Sequence, residues 1–525
     1  MPRCSDLSLA AVAVGALFFF LLPPVLAESG SAQLYRNNCA TCHGAERLGG
    51  SGPALLPESL ARLKKNKVEE IIAEGELATQ MPAFGDKLSP QDIAALAAYI
   101  YAPPAIPPKW DEADIRASHI IVTPPDSLPP QPVFKADPLN LFVVVETGDH
   151  HITILDGDRM EPIYRFPSRF ALHGGPKFTP DGRFVYFASR DGWITKFDLY
   201  SLQVVADIRA GINTRNLAIS ADGKYVMVAN MLPHSLVALD AGDLSLLEVI
   251  PAFDKLGRES SRVSAVYQAA PRNSFIVALK DVPEVWEVFY GDDAPPVYSG
   301  LVHSHEKEMV EGLSEKGPFP IRRIEVTRPL DDFFFDQTYT HLFGSDREAQ
   351  TAVVVHMDVG REIGEAPLPG LPHLGSGITW EYEGRAVMAT PHLRENAISI
   401  IDMKTWQPLT KIETLGPGFF LRSHENSPYA WAGVFFGPNR DAVHIIDKAT
   451  LKIVKTLRPI PGKTAAHTEF TRDGRYVLLS IWENDGALIV YDSKTLEEVK
   501  RIPMNKPSGK YNVYNKITRS EGTSH

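Results

Sequence analysis

The chain has 525 residues, 44% hydrophobic and 22% charged, a balance that excludes disordered, collagenous and coiled-coil proteins. Its net charge of −11, with Lys and Arg scattered, argues against a nucleic-acid partner. At this length two domains or one large repeat array are expected, and 38 Gly with 42 Pro suggest many turns, as in an all-β body.

Residues 1–27 read as a secretory signal. Arg3 supplies the positive start, Leu7 to Val25 is apolar, and Val25-Leu26-Ala27 fits a small-residue cleavage site before Glu28. A retained anchor is the competing reading, but Pro23 and Pro24 break the run. No later segment has 18 consecutive apolar residues, so no membrane span is expected after cleavage, and the periplasm is the expected compartment. Of three cysteines, Cys4 leaves with the signal. Cys39 and Cys42 remain, too close together for a long-range disulfide framework.

Cys39-Ala40-Thr41-Cys42-His43 has the spacing of a c-type haem attachment site: two thiols bond the vinyl groups and His43 reaches the iron. A redox pair would need a thioredoxin-like βαβ pattern, which is absent, and would leave His43 unexplained. Ser31 to Asn38 reads as a helix. Met81, 38 residues after His43 in a Met-Pro-Ala-Phe-Gly segment, is the expected sixth ligand; a thioether raises the potential and suits electron transfer. Ser89, Pro90 and Asp92 start a helix as N-cap, N1 and N3, with Ile93, Leu96, Ala97 and Ile100 as its apolar stripe. Residues 28–102 are therefore expected to form an all-α class I cytochrome c fold. Residues 103–135, with nine prolines between Pro103 and Pro132, are expected to form a semi-rigid extended linker.

From Leu141 short Val/Ile/Phe/Tyr runs alternate with turns. A Thr/Ser-x-Asp-Gly-Arg/Lys turn with a following strand recurs near Phe178, Ile219 and Phe470, the first two 41 residues apart. An apolar-Asp-x-x-x-Leu/Trp ending recurs at Phe197, Ile401, Ile446 and Tyr491. Such repetition predicts a β-propeller over residues 136–525, with about eight blades at roughly 50 residues each. Propellers host many functions, so the fold alone does not decide one.

Four segments carry a family resemblance: Arg169 to His173, Leu371 to Gly377, Arg422 to Tyr429 and Pro507 to Asn515. With the haem motif they resemble the cytochrome cd1 family, whose eight-bladed propeller holds haem d1. The resemblance implies His173 as proximal iron ligand, His373 and His424 on the distal face as catalytic candidates to bind iron or guide the substrate side chain, and Arg190 and Arg215 as carboxylate-binding cations. Arg262 is a weaker candidate, and Glu146-Thr147-Gly148 stands where the family has a further arginine. Two activities compete within the family. One is nitrite reduction. The other is dehydrogenation of a propionate of dihydro-haem d1 to the acrylate of haem d1. His467, the tail from Lys516, and the short Glu28–Arg36 lead into the haem segment look like the second. A non-catalytic haem d1 carrier is a third reading.

For dehydrogenation, His467 is the first candidate base, since histidine titrates near neutrality, and Tyr511 is a candidate to position a carboxylate or relay a proton. A structural loop histidine and a packed strand tyrosine are the alternatives. Covalent haem c would pass electrons to a soluble acceptor such as a small c-type cytochrome, and a nitrite reductase is a candidate recipient of product. His150 and His151, adjacent and expected on a strand, would face opposite ways. His303, His305, His341 and His356 have no supporting motif.

Overall fold

The computed structural model describes residues 30–518, except 51, 62, 76–80, 292–293, 300–312, 315–316 and 346–349. The signal segment 1–27 with Arg3 and Cys4, the His303/His305 pair and the tail beyond 518 lie outside the described residues.

The first domain is helical. Gly30–Asn38 leads into a single turn, Ala40–His43, followed by Pro57–Leu60, Lys65–Glu74 and Pro90–Tyr101. The last helix starts at the expected cap: Ser89 Oγ accepts from Asp92 N–H, and the Asp92 carboxylate returns a bond to Ser89 N–H. Ile93, Leu96, Ala97 and Ile100 bury against Tyr35, Leu60, Val68 and Ile72, the apolar stripe at work. Arg47, 3% exposed, ties the helix end by donating to the carbonyls of Tyr99 (2.7 Å) and Ala102 (3.1 Å).

The second domain is an eight-bladed propeller of antiparallel sheets. Blade 1 comprises Leu141–Glu146, His151–Asp156 and Glu161–Pro167, completed on its axial side by the late strand Pro507–Asn512. The first and last parts of the repeat thus share a sheet and close the ring. The axial strands of blades 2–8 are Lys177–Phe178, Asn213–Ile219, Val263–Ala269, Asp332–Phe335, Ile378–Tyr382, Gly418–Arg422 and Ala465–Phe470. Apolar clusters pack between neighbouring blades, so the core is a wheel of interfaces around an axis.

The proline-rich segment differs from a free spacer. Asp111 and Asp114 form a reciprocal capping box that starts a short helix, Glu112–Ala117, despite the surrounding prolines. Ile115 buries on blades 2 and 3, and Ile120–Ile121 adds a fifth strand to the rim of blade 2. The segment is a strap lying on the propeller. His150 also departs from expectation: it lies in the turn before the strand at φ +54°, and only His151 belongs to the strand.

The two domains meet at Ala54, Leu56 and Ile212, with Leu48, Trp110 and Leu232 around them. Arg209 crosses this junction. It donates to the Leu48 carbonyl from Nη2 and to the Asp191 carbonyl from Nε, with its guanidinium 4.6 Å from the Trp110 ring centre.

Candidate functional site

In the helical domain Cys39 and Cys42 are unbridged thiols on one turn, with His43 at its end. The His43 Nδ1–H donates to the Pro53 carbonyl at 2.8 Å, which leaves Nε2 with its lone pair for a metal. Gly52 presses on the ring so closely that a Cβ there would lie 2.8 Å from Cε1. Burial holds His43 below the usual histidine range and pushes the Cys39 thiol up to about 11. Met81 packs against the same core as Cys39. Two thiols, an oriented imidazole and a thioether packed on one small core fit a covalently attached haem, which Cys39, Cys42, His43 and Met81 would hold.

The second site lies on the propeller axis, where a closed circuit of contacts passes through all eight blades. His373 donates from Nδ1 to the Phe419 carbonyl (3.0 Å) and packs on the Phe419 ring at 4.2 Å. Phe419 packs on Phe420, Phe420 on His467 (4.8 Å) and His467 on Tyr511 (5.0 Å). Tyr511 abuts Gly175, where a Cβ would lie 3.1 Å from the ring. In the same loop His173 donates from Nδ1 to the Arg215 carbonyl at 2.6 Å. The Arg215 side chain donates to His173 Nε2 (3.1 Å) and to the Ser264 carbonyl (2.9 Å). Tyr267 donates to Asp332 (3.0 Å), and Asp332 accepts from Gly375 N–H (2.6 Å), two residues after His373.

His173, Arg215, Tyr267, His373, Phe419, Phe420 and Tyr511 lie on or beside axial strands yet remain partly solvent accessible. They therefore surround an internal recess. Phe420 with Phe435 and Trp482 gives it an aromatic wall suited to a flat macrocycle. In both His173 and His373 the carbonyl bond at Nδ1 leaves Nε2 as the acceptor nitrogen, the form that can bind iron.

His467 sits in a β-bulge. Ala466 pairs with Ser480 and Thr468 with Leu479, so His467 is the extra residue, at φ +51°. Lys510, fully buried, holds this kink by donating to the His467 carbonyl and to Ser480 Oγ (2.8 Å). His467 is 4% exposed and its Nδ1 has no hydrogen-bond partner in the protein. Burial, then the charges of Lys510, Arg422 and Lys516, hold it well below the usual histidine range, so it is neutral at pH 7. Burial pushes the Tyr511 hydroxyl up to about 12, so it stays protonated.

The expected pair His373 and His424 is not assembled. His424 follows the far end of the axial strand whose start contacts His373. It is fully buried against the blade 8 turn, where its Nδ1 accepts from Asn426 N–H (3.1 Å) and a Cβ on Gly474 would lie 2.4 Å away. A five-residue strand separates the two histidines, and Phe419 and Phe420 take the place beside His373. Arg190 stands beside the His173 loop through backbone bonds to Ala171 and Thr214. Arg262 is held by Asp281, with Nε at 2.9 Å. Glu146, in the place of the family arginine, accepts from Arg165 (3.0 Å) and Thr153 (2.6 Å). His341 and His356 form a cross-strand pair at 4.8 Å, with Asp336 bonded to His341. No metal-binding cluster of His, Cys, Asp and Glu occurs among the described residues.

Sequence reading passed over Arg422, Glu469, Lys510, Tyr267 and Asp332, all set on axial strands. The available signal was a charge inside a strand run, as in Gly509-Lys510-Tyr511 and His467-Thr468-Glu469-Phe470.

Comparison with known proteins gives matching results for both halves. The cytochrome D1 heme domain profile matches residues 136–300 and 300–516, and the profile of the cbb3-type cytochrome c oxidase subunit III matches residues 27–100. The chain is 56% identical over 508 residues to the dihydro-heme d1 dehydrogenase of Pseudomonas aeruginosa, covering 96% of this chain and 98% of the relative. It is 25% identical over 548 residues to the nitrite reductase of Stutzerimonas stutzeri, covering 94% of each. The solved structure of dihydro-heme d1 dehydrogenase NirN in complex with DHE superposes with a TM-score of 0.87 at 57% identity, over 93% of this chain and 99% of that one.

Proposed function

The chain belongs to the cytochrome D1 heme-domain family, and on that premise we propose that it is an oxidoreductase of haem d1 biosynthesis, dehydrogenating a propionate of dihydro-haem d1 to acrylate. The observation that carries this reading is the axial circuit itself, which brings together two oriented imidazoles, an aromatic wall, and a buried neutral histidine beside a tyrosine.

The reaction removes two hydrogens from adjacent carbons, as two protons and two electrons. His467 is the base that takes a proton from the side chain, because it is neutral, buried and has an open nitrogen. Tyr511, held protonated, orients the side chain or passes a proton on. His173 is the proximal ligand of the substrate iron, its Nε2 set by the Arg215 carbonyl, and Arg215 must turn from that nitrogen as iron arrives. His373, whose Nε2 is likewise left as the acceptor nitrogen, is assigned to the distal face. Haem c on Cys39, Cys42, His43 and Met81 supplies a one-electron acceptor when bound, so two equivalents leave in succession. The separation of His424 from His373 disfavours nitrite reduction, since it removes the second imidazole that would hydrogen-bond a bound oxyanion.

The final electron acceptor is a soluble one-electron carrier of the small c-type cytochrome kind, and a nitrite reductase is the recipient of product. The compartment is the periplasm, where covalent haem attachment and the signal-like segment agree. No helix among the described residues is long and apolar enough to cross a membrane.

Incubation of the holoprotein with dihydro-haem d1 and an electron acceptor tests the reading. The extracted tetrapyrrole is expected to lose two hydrogens by mass, and His467→Ala to cut that rate by about 10²–10⁴-fold while binding persists. Tight binding with no mass change would replace the enzyme reading by that of a carrier.

A further inference from the structure

We propose that Asp332 is a positioning residue: it fixes the turn that carries His373, so that His373 fills the distal place on the substrate iron and keeps it closed to outside anions. The inference rests on the tetrapyrrole reading above, with His173 and His373 as the two axial imidazoles, and extends it to a residue of the neighbouring blade.

His373 stands at the start of a single 3₁₀ turn, Leu374–Ser376, whose residues are all buried. Such a turn leaves N–H groups at its start without an internal acceptor, and the His373 side chain does not cap them. Its ring is engaged elsewhere, donating to the Phe419 carbonyl of blade 7 at 3.0 Å. The missing cap comes from blade 5. Asp332, the first residue of the axial strand Asp332–Phe335 and 7% exposed, accepts the Gly375 N–H at 2.6 Å through Oδ2. Its Oδ1 accepts from Phe333 N–H (3.0 Å) and from the Tyr267 hydroxyl of blade 4 (3.0 Å). Burial, then Asp332, hold that hydroxyl well above the usual tyrosine range, so it stays a donor. Both oxygens of the carboxylate are therefore tied, and it cannot swing without breaking bonds to blades 4 and 6.

The turn has little slack on its other sides. The His373 N–H donates to the Pro391 carbonyl (2.9 Å), and the Ser376 N–H returns to the His373 carbonyl (3.0 Å). A Cβ on Gly377 would collide with Met388 Cε. His373 is thus clamped from blade 5 through its turn and from blade 7 through its ring, with Nε2 left as the acceptor nitrogen. Burial holds the ring below the usual histidine range, against the pull of Asp332 and with Arg215 adding to it, so the neutral form that binds metal prevails at pH 7. An imidazole held in this way loses little freedom on binding iron and competes well with an outside ligand. With both axial places taken, oxidation falls on the side chain beside His467 and not on an anion at the iron.

The test reads the iron and needs no turnover. The full chain with haem c in place is loaded with ferric haem d1. Spin state is followed by EPR, and cyanide binding in the tetrapyrrole absorption bands, for the wild type, Asp332→Ala, Asp332→Asn and His373→Ala. The wild type is expected to be low-spin and to bind cyanide poorly. Asp332→Ala is expected to show a high-spin fraction and to bind cyanide about 10–100-fold more tightly, with added imidazole restoring the low-spin signal. Asp332→Asn still offers an oxygen to the Gly375 N–H and is expected to keep most of the wild-type behaviour. Should Asp332→Ala fail to fold, Asp332→Ser, shorter by a bond and still polar, takes its place. Wild-type spin state and cyanide affinity in the shortened variant, or an equal loss in Asp332→Asn, would overturn the positioning role while His373→Ala still changes the iron. Unchanged iron in His373→Ala overturns His373 as a ligand and the inference with it. A protein that meets every expectation yet never dehydrogenates dihydro-haem d1 overturns the enzymatic reading alone.

Discussion

At the scale of single residues, His467 is set by its backbone as much as by its ring. A non-glycine residue at φ +51° is strained, and the Lys510 ammonium bonded to its carbonyl holds it there. The same ammonium depresses its proton affinity. Because the folded-state value lies below the unfolded one, His467 contributes stability that is complete above about pH 6.5 and falls away as pH drops. Lys510→Met removes a positive neighbour, so the acid limb of the pH–rate profile should move to higher pH, and ring NMR of His467 should show its titration rising. An unmoved limb would remove Lys510 from control of the base. His424 gives the opposite case. Its buried bond to Asn426 N–H is structural, so His424→Ala should cost about 1–3 kcal/mol in denaturant unfolding and leave the spectrum of bound haem d1 unchanged. A changed iron spectrum would return His424 to the axial site.

At the scale of elements, local pattern was a good guide where a helix or strand satisfies its own polar groups. The Ser89/Asp92 box and the stripe from Ile93 to Ile100 were legible because capping and 3.6-residue spacing are local properties. The proline-rich segment, expected as a semi-rigid extended linker, instead docks on the propeller. Its Asp111/Asp114 box is equally local, and the docking of Ile115 on blades 2 and 3 has no local sign. Ile115→Ala should therefore destabilise the propeller by about 2–5 kcal/mol, measured by chemical unfolding, where a free linker would tolerate it without change. The bulge at His467 was also unreadable, since one extra residue in a strand appears only against its partner.

At the scale of the whole molecule, the two candidate redox sites are joined by a short path. His43 bonds Pro53, the next residue Ala54 packs on Ile212, and three residues later Arg215 meets His173. Arg209 pins this junction from the propeller side. Arg209→Met should loosen the docking and slow electron transfer between the bound haems in stopped-flow experiments, with tetrapyrrole affinity preserved. An unchanged transfer rate would show that the contact does not set the electronic coupling.

Sequence alone determined the haem attachment motif, the helical first domain and the repeated blades, because each depends on spacing within a few dozen residues. It also nominated His173, His373, His467 and Tyr511, and these residues share one recess in the structure. Tertiary structure decided the rest. Ring closure by Pro507–Asn512 places residues hundreds of positions apart around one axis, and strand direction sends His424 to the far end while His373 stays at the recess. The Arg422–Glu469 pair and the Lys510 tether on His467 were invisible, since a buried polar side chain acquires meaning only from the partners the fold brings beside it.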